Sequence, residues 1–166
     1  DAEPDFNLMN VIGYDAMTVE LRDSVWNSIA AHAQETFPDE CCGIILANRG
    51  TERVVRFENI QNKLHKLDPQ EYPRTAAMAY NIDSLKLQLV IEQAAKQGEK
   101  LKAFYHSHPN HDAYFSDEDK AFACPNGKPT FPDTVQIVAS IYDRNVKTIK
   151  AFAWSSEKTD FIEVPL

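Results

Sequence analysis

Apolar side chains between residues 23 and 36 recur at helical spacing, with Val25, Trp26, Ile29, Ala30 and Ala33 on one stripe. That spacing predicts an amphipathic helix that stops before Pro38. The pattern then changes. "CGIIL" (42–46) is a short unbroken apolar run and predicts a buried strand, with "RVVRFENI" (53–60) as its neighbour. Residues 61–80 mix Pro, Asp, Asn and charge without a period, and predict a long loop. Loops of that length in compact domains are often functional. Helical spacing returns in "IDSLKLQLVIEQAAKQG", with Asp83 placed to cap its start and Gly98 its end. In "LKAFYHSH" (101–108), strand alternation puts Phe104, His106 and His108 on one face and Tyr105 and Ser107 on the other. Pro109 ends that strand because it has no amide proton for a ladder. "SDEDKAFA" (116–123) reads as a short helix and "CPNGKPTFPD" (124–133) as a loop. "TVQIVASIYD" (134–143), "VKTIKAFAW" (146–154) and "DFIEVP" (160–165) read as a closing strand meander. This order predicts a mixed α+β or α/β sandwich with the sheet between helices.

Composition narrows the classes. The chain has 166 residues, 43% of them apolar, which is enough for one domain with its own core. No apolar run reaches membrane-spanning length and no signal peptide is visible. A net charge of −8 argues against a nucleic-acid surface, and "KQGEKLK" (96–102) is too short to reverse that. Neither nucleic acid nor membrane is an expected partner. The three cysteines, Cys41, Cys42 and Cys124, do not make a disulfide framework, so a reducing cytoplasm is the expected setting. Met17 opens "MTVELRDSVW", which reads as a natural start. Residues 1–16 are then expected to be a leader, a tag or a fused tail peptide, and residues 17–166 the catalytic domain. "NLMNVIG" (7–13) ends in Gly13 and is also compatible with a fused tail that mimics bound substrate or product.

Candidate chemistry concentrates in "HSHPNHDAYFSDED" (106–119). Hydrolytic zinc sites commonly have three protein ligands and one open position. His106 and His108 sit two apart on a strand and can aim both imidazoles at one ion. Asp119, on the first turn of the short helix, is a candidate third ligand. Alone, His-x-His also describes two ordinary histidines at a sheet edge. Ser116-x-x-Asp119 also describes a helix cap with an acidic residue that complements the helix dipole. The two readings of that cap are compatible, since a capped helix start is a rigid place from which to present a ligand. His111 and Asp112 are set aside as loop, and Asp117 and Glu118 as loop or solvent. His32 and His65, without partners in sequence, are expected at the surface. Cys41 and Cys42 are expected on opposite strand faces, which removes them as a joint metal clamp. A Cys–His hydrolase lacks its orienting group here. The 61–80 and 110–115 segments are expected to border a substrate channel.

The run His106-Ser107-His108-Pro109, six residues, then Ser116-x-x-Asp119, resembles the signature of the JAMM metalloproteases, the catalytic branch of the MPN (Mov34) family. "PDECCGIIL" supplies Glu40 just before a Cys-Gly strand, the family's upstream glutamate. The likeness runs from about residue 17 to the end. It implies a cytidine-deaminase-like mixed sheet flanked by helices. It also implies Zn²⁺ on His106, His108 and Asp119, with Glu40 as general acid–base and Ser116 as oxyanion donor. The implied reaction is hydrolysis of a peptide or isopeptide bond after the C-terminal Gly of a ubiquitin-like or conjugated protein. Compactness resembles a stand-alone prokaryotic member, either deconjugating (as in CBASS antiphage defence) or processing a sulfur-carrier protein. A non-catalytic MPN scaffold is the alternative from another class.

Overall fold

The computed structural model describes residues 19–166. The expectations for a leader and a Gly13-ending tail lie outside the described residues. One sheet organises the rest, in the order β2-β1-β3-β4-β5-β6. Its strands are β1 (Cys42–Asn48), β2 (Thr51–Phe57), β3 (Lys100–Pro109), β4 (Val135–Tyr142), β5 (Asn145–Ser155) and β6 (Asp160–Val164). All pairings are antiparallel except β3 with β4. Two hairpins follow from backbone chemistry. Arg49 and Gly50 both hold positive φ (45° and 84°), as do Asp143 and Arg144 (47° and 62°). Two consecutive residues of that kind give the tight turn whose twist matches the flanking strands.

Helices cover both faces. On one face α1 (Asp23–Thr36) buries Val25, Ile29 and Ala33 against Ile45, Tyr105, Ile137 and Ala139. On the other, α3 (Ser84–Lys96) lays Leu87, Ile91 and Ala94 over Ile44, Leu46 and Phe104. Each fully buried aliphatic such as Ile29 contributes about 1.5–3 kcal/mol of burial. The Asp83 carboxylate accepts from Leu85 N–H and Lys86 N–H, and Gly98 follows α3 with φ of 80°. Both ends are as expected. β3 alternates as its sequence predicts: Phe104 belongs to the α3 face, Tyr105 to the α1 face.

Three expectations need correction. Residues 61–80 are not all loop, because Gln61–Leu67 form a further helix, α2. It buries Gln61, whose amide donates to Arg74 O at 2.9 Å and accepts from Asn81 Nδ2 at 2.7 Å. A helix anchored by a polar side chain has no apolar period to read. His32 is not at the surface. It takes the place in the α1 stripe that Trp26 was given, is 8% exposed against 37% for Trp26, and pairs its Nδ1 with Tyr105 Oη at 2.7 Å. His65 is half-buried, with Nδ1 2.7 Å from Tyr72 O.

Candidate active site

β3 is the central strand of the site, paired with β1 on one side and β4 on the other, and it ends in His106-Ser107-His108-Pro109. Alternation puts both imidazoles on the α3 face. His106 is fully buried, and its ring stacks on Tyr80 with centroids 4.5 Å apart and planes 25° apart. His106 Nδ1 has no hydrogen-bond partner among the described residues, so ring packing fixes this side chain. His108 is fixed differently: Nδ1 lies 2.9 Å from Asp112 O. A carbonyl only accepts, so Nδ1 carries the proton and the Nε2 lone pair is free.

The third residue arrives on α4 (Asp117–Ala123). Ser116 caps this helix, its Oγ accepting from Asp119 N–H, while Asp119 Oδ2 accepts from Ser116 N–H. The same Oδ2 stands 3.2 Å from both His106 Nε2 and His108 Nε2, which are 3.1 Å from each other. Tetrahedral zinc with bonds of 2.0–2.1 Å separates its ligand atoms by about 3.3 Å. Three buried, electron-rich atoms with that spacing form a group that can hold a metal ion. Burial alone would raise the Asp119 carboxyl; when the two imidazoles also carry protons on Nε2, their charges and hydrogen bonds outweigh it and hold the group well below its usual range.

Glu40 enters from β1's approach. Its N–H donates to Ala76 O at 2.8 Å and its carbonyl accepts from Asn59 Nδ2 at 2.9 Å. The next residue is clamped to β3: Cys41 N–H donates to Ser107 Oγ at 2.8 Å, and Ser107 N–H to Cys41 O at 3.1 Å. The Glu40 carboxyl is buried and its Oε1 has no partner among the described residues. Burial first, then the charges of Asp119 and Glu118, push it up to about 9, against the pull of Arg74. A divalent metal ion bound beside it would add to the pull of Arg74.

Residues 22–155 match the family described as prokaryotic homologs of the JAB domain. The chain belongs to this family. The resemblance to the JAMM/MPN group is thereby borne out, and with it the mixed sheet between helices. Among curated relatives, the CysO-cysteine peptidase of Mycobacterium tuberculosis is 26% identical over 133 residues, 80% of each protein, and that of Mycobacterium bovis matches equally. The solution structure of DSY2949 from Desulfitobacterium hafniense superposes with a TM-score of 0.63 at 20% identity, covering 86% of this chain and 87% of that one. A Salinibacter ruber protein gives 0.56 at 23% identity, covering 89% and 92%. Those two structures share the fold. Family and relatives together support a peptidase of the JAB type.

In this JAB domain His108, Asp119 and Glu40 open onto one cavity of about 640 Å³, with His106 fully buried behind them. The segment 71–74 and residues 78–81 form one wall; His111, Tyr114 and the start of α4 form the other. Both segments expected to border a channel therefore border this cavity. His111 faces it although the spacing set it aside. Asp112 contributes through its carbonyl to His108, and its carboxylate accepts from Tyr142 Oη at 2.8 Å. Asp117 and Glu118 line the rim rather than pointing only to solvent, and Glu118 pairs with Arg74. The cysteines stay out of the chemistry: Cys41 and Cys42 pack into opposite cores, and burial pushes the Cys41 thiol up to about 11 and Cys42 higher still. Cys124 rests half-buried against the Phe115 cluster. Tyr80, Asn59, Ser107 and Arg74 escaped the sequence reading of the site. Three of them lie in or beside the aperiodic 61–80 stretch, and Ser107 was placed on the strand face opposite the histidines with no part in the site.

Proposed function

We propose that the chain is a zinc-dependent peptidase that hydrolyses the amide bond after the C-terminal glycine of a small ubiquitin-like protein, sulfur-carrier proteins included. The observation that carries this is a trio of ligand atoms 3.1–3.2 Å apart, two of whose residues, His108 and Asp119, line the same cavity as Glu40 with its unpartnered carboxyl oxygen. His106, His108 and Asp119 hold the ion, which when bound supplies a Lewis acid and a water acidified toward neutrality. Glu40 takes the proton from the attacking water and returns it to the departing amine. Its backbone is bonded on both sides, to Ala76 O and Asn59 Nδ2, which fixes the point from which the side chain projects. The Ser116 hydroxyl accepts from Asp119 N–H and keeps its own hydrogen to donate to the carbonyl oxygen as negative charge grows there. Tyr80 and Phe115 flank His106 and keep bulk water off its ring. Likeness to the CysO-cysteine peptidase supports the sulfur-carrier branch of the proposal; removal of a ubiquitin-like modifier from a lysine is its other branch. No helix among the described residues is long and apolar enough to cross a membrane, and the setting we propose is the cytoplasm.

The test is incubation with carrier-protein and ubiquitin-like conjugates, read by intact mass. Cleavage after the tail glycine is expected, lost with a chelator and restored by zinc. Glu40→Gln is expected to retain zinc while its rate falls about 10²- to 10⁴-fold. Chelator-insensitive cleavage, or a Glu40→Gln variant with full activity, sinks the reading.

A further inference from the structure

The two histidines of the proposed metal group are held by different means. A histidine that binds a metal ordinarily gives its other ring nitrogen to a carbonyl, a carboxylate or water, which orients the ring and makes it a stronger electron donor. His108 follows that pattern through Asp112 O, 2.9 Å from its Nδ1. His106 does not. It is fully buried, yet its Nδ1 has no partner among the described residues. An unpaired buried polar group is costly, and no hydrogen bond at that nitrogen orients the ring.

The Tyr80 ring lies against it instead, stacked with centroids 4.5 Å apart and planes 25° apart. Tyr80 is secured in turn. The peptide groups on both sides of it are bonded to the Asn59 amide: Ala79 O accepts from Nδ2 at 3.0 Å, and Asn81 N–H donates to Oδ1 at 3.1 Å. Its ring also meets Phe122 of α4, with centroids 5.5 Å apart. Phe122 follows Asp119 by three residues, a spacing that puts both on one side of that helix. α4 therefore reaches His106 twice, directly through the Asp119 carboxylate at 3.2 Å and indirectly through Phe122 and Tyr80. A stacked ring resists rotation of the imidazole out of its plane. It also acts electrically: an imidazole bound to a divalent ion shares the positive charge, and the face of a phenol attracts positive charge.

We propose that Tyr80 is a positioning residue for His106: its ring, not its hydroxyl, does for His106 what the Asp112 carbonyl does for His108. This rests on the metal-dependent reading above. Without an acceptor at Nδ1, His106 is the weaker electron donor of the two histidines, and an ion with a weaker donor remains a stronger Lewis acid. Affinity for the ion then depends on an aromatic side chain that supplies no ligand atom.

The test measures zinc affinity by competition with a chromogenic chelator, and the visible absorption of the cobalt-loaded protein, for the wild type and for Tyr80→Phe, Tyr80→Leu and Phe122→Ala. Tyr80→Leu is expected to raise the zinc Kd about 10- to 100-fold and to shift the cobalt bands, since a turned His106 changes the geometry around the ion. Tyr80→Phe keeps the ring and is expected to match the wild type in both. Phe122→Ala, at a half-exposed position, loosens the stack without opening the core and is expected to weaken binding by a smaller factor. In proton NMR of the zinc-loaded wild type, the His108 Nδ1–H is expected downfield of the His106 Nδ1–H, because a hydrogen bond deshields the first and not the second. Wild-type zinc affinity in Tyr80→Leu, or in Phe122→Ala should Tyr80→Leu not fold, overturns the proposal. So does an equal loss in Tyr80→Phe and Tyr80→Leu, or a His106 proton as far downfield as that of His108. Each of these leaves the peptidase reading intact. Ring-dependent zinc binding by a protein that cleaves no conjugate does the reverse.

Discussion

At the scale of the residue, two side chains on the face away from the cavity set what the sheet tolerates. Gly43 is paired in register with Tyr105 across β1 and β3. A Cβ added at Gly43 would lie 2.5 Å from the Tyr105 ring. That ring is fully buried and tied through its hydroxyl to His32, so it has nowhere to go. Glycine inside a strand normally weakens it; here the aromatic neighbour demands it. Gly43→Ala is expected to cost about 1–3 kcal/mol, seen as a lower urea midpoint, and less in a Tyr105→Leu background. His32 has its own signature. Burial first, then the charge of Arg56, lower it to about 4, with Glu35 opposing. The unfolded chain, with an ordinary imidazole near 6.5, therefore binds more protons between pH 6.5 and 4. The stability that neutral His32 confers is complete above pH 6.5 and drains away as the pH falls through that window, by roughly 3 kcal/mol at most. Urea midpoints measured against pH should show this decline in the wild type and a flatter curve in His32→Gln.

At the scale of the element, the segment between β2 and α3 does more than connect. Asn59 uses its whole amide: Nδ2 donates to Glu40 O and Ala79 O, while Oδ1 accepts from Gln61 N–H and Asn81 N–H. It thereby joins Glu40, the start of α2 and the cavity wall. Asn59→Asp keeps the acceptor and removes both donations. The expected result is a rate at least tenfold lower, since small misplacements of a reacting group are costly, with zinc content and far-ultraviolet circular dichroism unchanged. This element also shows where sequence stopped being informative. α1, α3 and the six strands could be read because burial of a stripe or a face imposes a period of 3.6 or 2. His106, His108, Ser116 and Asp119 were legible as a candidate group through their resemblance to the JAMM signature, which spaces them along one strand end and one helix start. α2 and its loop are held by amide-to-backbone bonds of Asn59, Gln61 and Asn62, and such bonds leave no periodic mark. Tyr80 and Arg74 were invisible for the same reason. His32 was misplaced because a polar residue on an apolar stripe reads as surface until its Tyr105 partner is known.

At the scale of the whole molecule, the proposed metal group bridges β3 and α4, elements joined by the 110–116 segment, while Glu40 comes from the far side of the β1–β3 pairing. Only the folded chain offers all of these together, so an ion bound there stabilises the native state by linkage. At a zinc concentration a hundredfold above the dissociation constant, the gain is about 2.7 kcal/mol. Thermal unfolding should shift upward on adding zinc to chelated protein, and the shift should vanish in His106→Ala, whose own midpoint serves as its baseline. The stretch that grips Glu40 through Ala76 and Asn59 is continuous with the one that walls the cavity through residues 71–81. Recognition and catalytic alignment therefore share one piece of backbone. Remodelling that wall by insertion or deletion to admit a new tail would also displace the carboxyl proposed to drive the cut. Changes of specificity in this lineage are then expected to come as side-chain exchanges at positions such as Arg74, Met78 and Tyr114, with the backbone path conserved beneath them.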